Sequence, residues 1–132
     1  MNPISDLPSL LRSMKPVLNP GIFVFALIEP GQHIDPTIIL ASIKEAEGLS
    51  VVVSEDDAIK NQLNILFRCS WITLTVNSDL HSIGLTAAFS TALGNAGISC
   101  NVVAGACHDH IFVPIDKANG AIQTLQALQE NA

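Results

Sequence analysis

From Trp71 onward apolar and polar residues alternate: Ile72, Leu74 and Val76 fall on one face, Thr73, Thr75 and Asn77 on the other. A side-chain period of two is that of a half-buried strand. After the polar pair Ser78-Asp79 the period lengthens. Leu85, Ala88, Phe89, Ala92, Leu93 and Ala96 recur at spacings of three and four, which makes one apolar stripe along a helix. Asn95-Ala96-Gly97 stops it, with Gly97 free to take the left-handed backbone of a helix C-cap. Two more strands follow, over residues 98–104 and 110–115. A second helical stripe then runs through Ala118, Ala121, Ile122, Leu125 and Leu128, with Asp116 placed to cap it. The order β-α-β-β-α predicts an α+β fold: a mostly antiparallel sheet with both helices on one side.

The first half is less regular. Residues 6–14 read as a short helix with Leu7, Leu10, Leu11 and Met14 on one stripe and Pro8 tolerated in its first turn. Pro16-Val17-Leu18 is a brief extended piece and Asn19-Pro20-Gly21 a turn. Residues 22–28 are apolar on both faces, which predicts a central strand with helices on one side and a second layer or a partner chain on the other. Pro30-Gly31 turns the chain, and Asp35-Pro36 can start a short helix. Residues 37–48 admit two structures. One is a helix with Ile38, Ile39, Ser42, Ile43 and Ala46 roughly in phase and Gly48 as cap. The other is a hairpin of residues 41–45 and 49–53 around Ala46-Glu47-Gly48. Local residues favour neither; the hairpin is adopted because it makes the first half repeat the second. Ser54 to Asp57 forms a capping box that opens a helix with Ala58, Ile59, Gln62, Leu63 and Leu66 inward. The halves join near residues 66–70 without a flexible linker, which predicts rigidly joined units at 1–66 and 67–132.

Composition narrows the class. At 132 residues the chain is one compact body or two small modules sharing a core; a half of about 60 residues alone would be marginally stable. It is 48% hydrophobic and 14% charged, with mean hydropathy +0.42, which favours a buried interface in a homodimer or higher oligomer. The net charge of −6 and the absence of any Lys/Arg cluster exclude nucleic acid and anionic membranes as partners. No apolar run approaches the roughly 20 residues of a membrane span, and the N-terminus lacks the basic region of a signal peptide. Cys69, Cys100 and Cys107 are an odd number without framework spacing, as expected of reduced thiols in a cytoplasm.

The turn 78–85 is the best candidate site. A helix start offers unpaired N–H groups and a positive dipole end to a carboxylate, Gly84 allows close approach, and Asp79 can hold an ammonium. The bland alternative is that Asp79 or Ser82 caps the helix while Gly84 packs against a strand. Asn101, polar on an otherwise apolar strand, can donate to a ligand carboxylate or pair across an interface, and Gly105 marks a bend or close approach. Cys107, His108, Asp109 and His110 resemble metal ligands in type. His108 and His110 share one strand face while Asp109 points away, and no CxxC or HExxH spacing completes a site. A polar turn or a histidine-lined wall is the simpler reading. Asp79, His81 and Ser82 are triad residue types without triad geometry or a Gly-x-Ser-x-Gly elbow, so no catalytic residue and no cofactor is assigned.

The stretch from Asn77 to Leu85, Gly97-Ile98-Ser99 at the start of a strand, and the run from His108 to Pro114 resemble the ACT domain. More closely, they resemble small bacterial tandem ACT-like proteins of unassigned role. The resemblance covers nearly the whole chain; in the first half it rests on residues 23–27 and 45–53. It implies ferredoxin-like βαββαβ units in tandem, whose members commonly bind a free amino acid where two units meet. The family's glycine after the first strand corresponds to Gly84 and its acidic position to Asp79. Together with the reading of the turn and of the strand, this makes the candidate ligand residues Asp79, Leu80, His81, Ser82, Ile83, Gly84 and Leu85, with Asn101. The implied role is non-catalytic: binding of a small amino acid, or alternatively an interaction module with a vestigial site, with a small enzyme the least favoured. One departure is plain. No last strand follows the final helix, so that strand is absent or supplied by a piece such as residues 16–18.

Overall fold

The computed structural model describes residues 6–76 and 79–132; Asn77 and Ser78, which the sequence places where the alternating strand turns, lie outside them. In chain order the elements are α1 (Leu7–Ser13), β1 (Pro16–Ile28), a 3-10 turn (Pro36–Ile38), β2 (Ala41–Glu45), β3 (Gly48–Ser54), α2 (Glu55–Lys60) and β4 (Ile65–Leu74). Then come α3 (Leu85–Asn95), β5 (Asn101–Ala104), β6 (Asp109–Pro114), a second 3-10 turn (Ile115–Lys117) and α4 (Ala118–Glu130). This is the predicted α+β class of ferredoxin-like units in tandem, with antiparallel pairing of β1 with β3, β2 with β3 and β5 with β6. The chain forms two compact units. One is continuous, Pro20–Ser70; the other is split, combining the chain up to Asn19 with Trp71–Ala132. Strands β1 and β4 each give one end to either unit.

In the continuous unit the strand order is β4-β1-β3-β2. The expected hairpin forms, in register from Ala41↔Val52 to Glu45↔Gly48, so residues 37–48 are not a helix. Gly48 has a φ of +150°, and a Cβ built on it would stand 2.4 Å from the Ile28 carbonyl oxygen, so the hairpin closes too tightly on β1 for any side chain there. Val24, Ala26 and Ile28 pack with Val51, Val53, Ala58 and Leu63. On the other face of β1, Phe25 sits with its ring 6.0 Å from that of Phe67. Ser54 caps the helix as expected, its Oγ accepting from Asp57 N–H at 3.1 Å, while the Asp57 carboxylate bonds back to the Ser54 hydroxyl at 2.9 Å instead of to its backbone N–H. The helix it opens is shorter than expected. It ends at Lys60, Gln62 turns the chain with a φ of +55°, and Ile65 already begins β4. Ile59 and Leu66, expected inward, are therefore 62% and 63% exposed, and Leu66 follows a strand's period instead of a helix's.

In the split unit the order is β1-β4-β6-β5. The start of β1 lies beside β4. Thr75 N–H and Oγ1–H both donate to the Lys15 carbonyl, at 3.0 and 2.9 Å. Asn19 Nδ2 donates to the Trp71 carbonyl at 3.3 Å and to Thr73 Oγ1 at 2.9 Å. This N-terminal piece supplies the strand that the sequence lacks after α4. Leu10 and Met14, Leu85, Phe89 and Leu93, and Ala121 and Leu125 carry α1, α3 and α4 onto Ile72, Leu74, Ile111 and Val113, the expected stripes. Asp116 does not cap α4. It lies inside the second 3-10 turn, where the Ala118 N–H bonds the Ile115 carbonyl, so the turn itself leads into the helix. Among the described residues no helix is long and apolar enough to cross a membrane.

Candidate functional site at the start of α3

After β4 the chain folds back through a short polar turn. The Asp79 carboxylate accepts from His81 N–H at 2.9 Å and the Asp79 carbonyl from Ser82 N–H at 2.9 Å. Gly84 follows with a φ of +103°, and α3 begins without a side-chain cap. The first helical bond, Ala88 N–H to the Gly84 carbonyl at 2.9 Å, leaves the amides of Leu85, Thr86 and Ala87 with no acceptor among the described residues. Those amides and the dipole give the helix start its positive character. A cleft of about 160 Å³ opens there, between Asp79, Leu80, Ser82, Gly84, Leu85 and Thr86 on one side and Ala104 and Asp109 on the other.

Asp109 points away from His108 and His110, as the strand period predicts, and into this cleft. At the start of β6 it pairs with Ala104 and shares the face of Ile111 and Val113, which is the face beneath the helices. Only 8% of it is exposed, and among the described residues no group donates a hydrogen bond to its carboxylate. Burial pushes its carboxyl up from the ordinary range, outweighing the attraction of His110 and His108. Its signal lies in the strand period itself, because an acid in phase with two core positions must point inward.

The structure brings together Asp79, Leu80, Ser82, Gly84 and Leu85. His81 and Ile83 belong to the same turn but face solvent, Ile83 with 86% of its surface exposed. Asn101 pairs with Phe112, on the sheet face opposite Asp109, and does not line the cleft. Gly84 is accounted for by its positive φ and by α1: an added Cβ would meet Leu7 Cδ2 at 3.0 Å. A bulky residue at 84 would thus disturb packing before it blocked a ligand.

The two histidines beside Asp109 are occupied elsewhere. His108 Nδ1 lies 3.2 Å from the Val76 carbonyl. His110 Nδ1 accepts from Trp71 Nε1–H at 3.0 Å and lies 3.2 Å from Thr73 Oγ1, with the Trp71 and Phe112 rings stacked alongside. Gly105 makes the close approach expected of it, since a Cβ there would be 2.9 Å from the His108 carbonyl. Among the described residues no three metal-ligating side chains gather. Because indole N–H can only donate, His110 must be neutral with its proton on Nε2. Burial first, then His108, holds the His110 imidazole below its ordinary 6.5. A lowered folded-state pKa stabilises the fold above the unfolded value and loses that contribution as pH falls through the folded one. The emission of Trp71, the single tryptophan, should therefore shift on acidification with a midpoint below 6.5. His110→Phe should abolish the transition; a midpoint at or above the ordinary value would contradict the bond.

The thiols are unsuited to nucleophilic chemistry in the core. Cys69 donates to the Phe23 carbonyl at 3.3 Å, and burial pushes its thiol up to about 12; burial raises Cys100 as well.

Family models described as the ACT domain match residues 2–70 and 66–127. No curated protein matches the chain. Among solved structures, a Vibrio cholerae protein of unknown function, described as a possible transport protein, is 41% identical with a TM-score of 0.82, over 92% of this chain and 94% of that one. An Agrobacterium tumefaciens protein is 16% identical with a TM-score of 0.68, over 88% and 89% of the two chains. The ligand-free regulatory subunit of aspartate kinase from Thermus thermophilus is 11% identical with a TM-score of 0.63, over 86% and 95%. The last two are similar in fold alone. With an ACT domain matched in each half, the chain belongs to the ACT-domain family.

Proposed function

We propose that the protein is a non-catalytic regulatory module that binds a free amino acid in the cleft at the start of α3. The observation that carries this is the carboxylate of the largely buried Asp109, which opens into the cleft without a hydrogen-bond donor among the described residues, across from helix-start amides without an acceptor. A ligand with an ammonium and a carboxylate on one carbon matches both ends: the ammonium on Asp109 and the free oxygen of Asp79, the carboxylate on the amides of α3. A simple anion would meet two carboxylates and be repelled. The fold shared with a regulatory subunit of aspartate kinase supports a sensing role, and the free cysteines support a reducing compartment, the cytoplasm.

The test is a thermal-shift screen of the twenty amino acids. A ligand that binds only the folded state must raise the melting temperature in proportion to its occupancy. If none does at millimolar concentration, the reading gives way to an interaction module with an empty cleft. We further expect a homodimer or larger assembly, because the chain is poor in charge and exposes Leu80, Ile83, Ile43 and Leu66. Sedimentation at micromolar concentration should show no 14.0 kDa species as the main component; a monomer would refute it.

A further inference from the structure

The two units differ in the connection that follows β1 in one and β4 in the other. In the split unit that connection contains α3, which buries Leu85, Phe89 and Leu93. In the continuous unit residues 29–40 make only the 3-10 turn Pro36–Ile38. A groove of about 440 Å³ is left there, with Ile28, Ile34, Ile39 and Leu49 forming its apolar part. Ile28 and Leu49 pair across β1 and β3, on the face that packs against α2.

The polar rim has one sign. Lys44 pairs with Leu49 across the hairpin, so its stem lies on that same face. Among the described residues its ammonium has no ion-pair partner; the ion pair they contain joins Arg68 and Glu55. His33 stands at the rim too. No carboxylate lines the groove, in a chain with twelve acidic residues against six basic ones. Asp35, the acid within the turn, is committed to Thr37, accepting from its N–H at 2.9 Å and its hydroxyl at 2.8 Å. We propose that this groove is a second binding site, for short aliphatic carboxylates. The carboxylate pairs with Lys44 and the hydrocarbon tail covers Ile28, Ile39 and Leu49. This does not rest on the amino-acid reading of the α3 cleft. The competing role for Lys44 is protective: an inward-pointing charge on an edge strand discourages edge-to-edge pairing and asks for no ligand.

Calorimetric titration of butanoate, hexanoate and octanoate into the intact protein separates the two. The site should saturate at one equivalent per chain, and each methylene that the groove buries should tighten binding about fourfold. Hexylamine should not bind. Lys44→Gln, at an exposed position, should leave the melting temperature in place and weaken hexanoate at least about tenfold. Lys44→Glu should abolish hexanoate binding and admit hexylamine. Asp109→Asn should leave hexanoate affinity unchanged. The proposal is overturned if none of the three acids saturates, if hexylamine binds as well as hexanoate, or if Lys44→Gln, folded as judged by circular dichroism, binds within twofold of wild type.

Discussion

Asp109→Asn should weaken amino-acid binding by at least about 30-fold, the effect of removing one partner of a buried charged pair, while the ligand-free protein becomes no less stable. Both halves of the expectation follow from one carboxylate that is largely desolvated, opens only to the cleft and receives no hydrogen bond among the described residues. In the free protein its charge is a burden, which is why its pKa is raised. An acid with a raised folded-state pKa favours the fold below the unfolded value, and that advantage is lost as pH rises through the folded one. At neutral pH the ionised group therefore opposes folding, and an amide of the same shape relieves it. An ammonium arriving at the carboxylate reverses the balance, so binding releases a proton whenever Asp109 starts out protonated. Affinity should rise with pH through the raised pKa and level off above it, and the Asn variant should show neither the slope nor the proton release. Titrations in buffers of different ionisation enthalpy measure both. If Asp109 serves instead as a helix-dipole partner for α3, the variant loses stability and keeps its affinity, which would refute the assignment.

Phe89→Ala should cost about 3–5 kcal/mol of unfolding free energy, the usual range for emptying a buried aromatic site. Phe89 is fully buried on the inner stripe of α3, in a cluster that also takes side chains from α1, α4, β4 and β6. Collapse into the space is restricted, because Ile72, Ile111 and Val113 are fixed in paired strands. Against a typical total of 5–15 kcal/mol, such a loss leaves a small domain near its threshold. Ile59→Ala is the matched control: Ile59 is apolar and helical but 62% exposed, so its loss should stay within about 0.5 kcal/mol. Urea denaturation followed by circular dichroism decides both. A Phe89→Ala midpoint equal to that of Ile59→Ala would mean the cluster does not hold the split unit together.

The elements legible in the sequence are those whose period is set by burial on one side. The stripe of α3, the alternation at Ile72 and Leu74, and the inner residues of α4 fall where periodicity puts them. Ile59 and Leu66 misled, because two more apolar residues in phase extend a helix on paper, whereas Gln62 at positive φ ends it in space. Asp116 misled for a related reason: an acid before a helix is a capping signal only if the chain enters the helix from extended backbone. At the site, local residues pointed to the turn and to the helix start. They did not point to Asp109, whose meaning depends on which end of β6 lies under which helix, a fact of pairing and not of neighbouring residues. Asn101 shows the converse. A polar residue on a strand draws attention, but its register with Phe112 sends it to the far face.

The division of β1 and β4 between the two units has a consequence during synthesis. α1 leaves the ribosome before α3 and α4, yet it packs against both, and the Arg12 carbonyl accepts from Gln129 Nε2 at 3.0 Å. At roughly 5–20 residues per second, those partners emerge on the order of ten seconds later. Pro20–Ser70 is complete well before then. Throughout that interval Leu10 and Met14, fully buried in the finished protein, hang from the nascent chain as bare hydrophobic side chains. That part of the core is thus made well before it can be covered, and α1 is where a chaperone would find a hold on it.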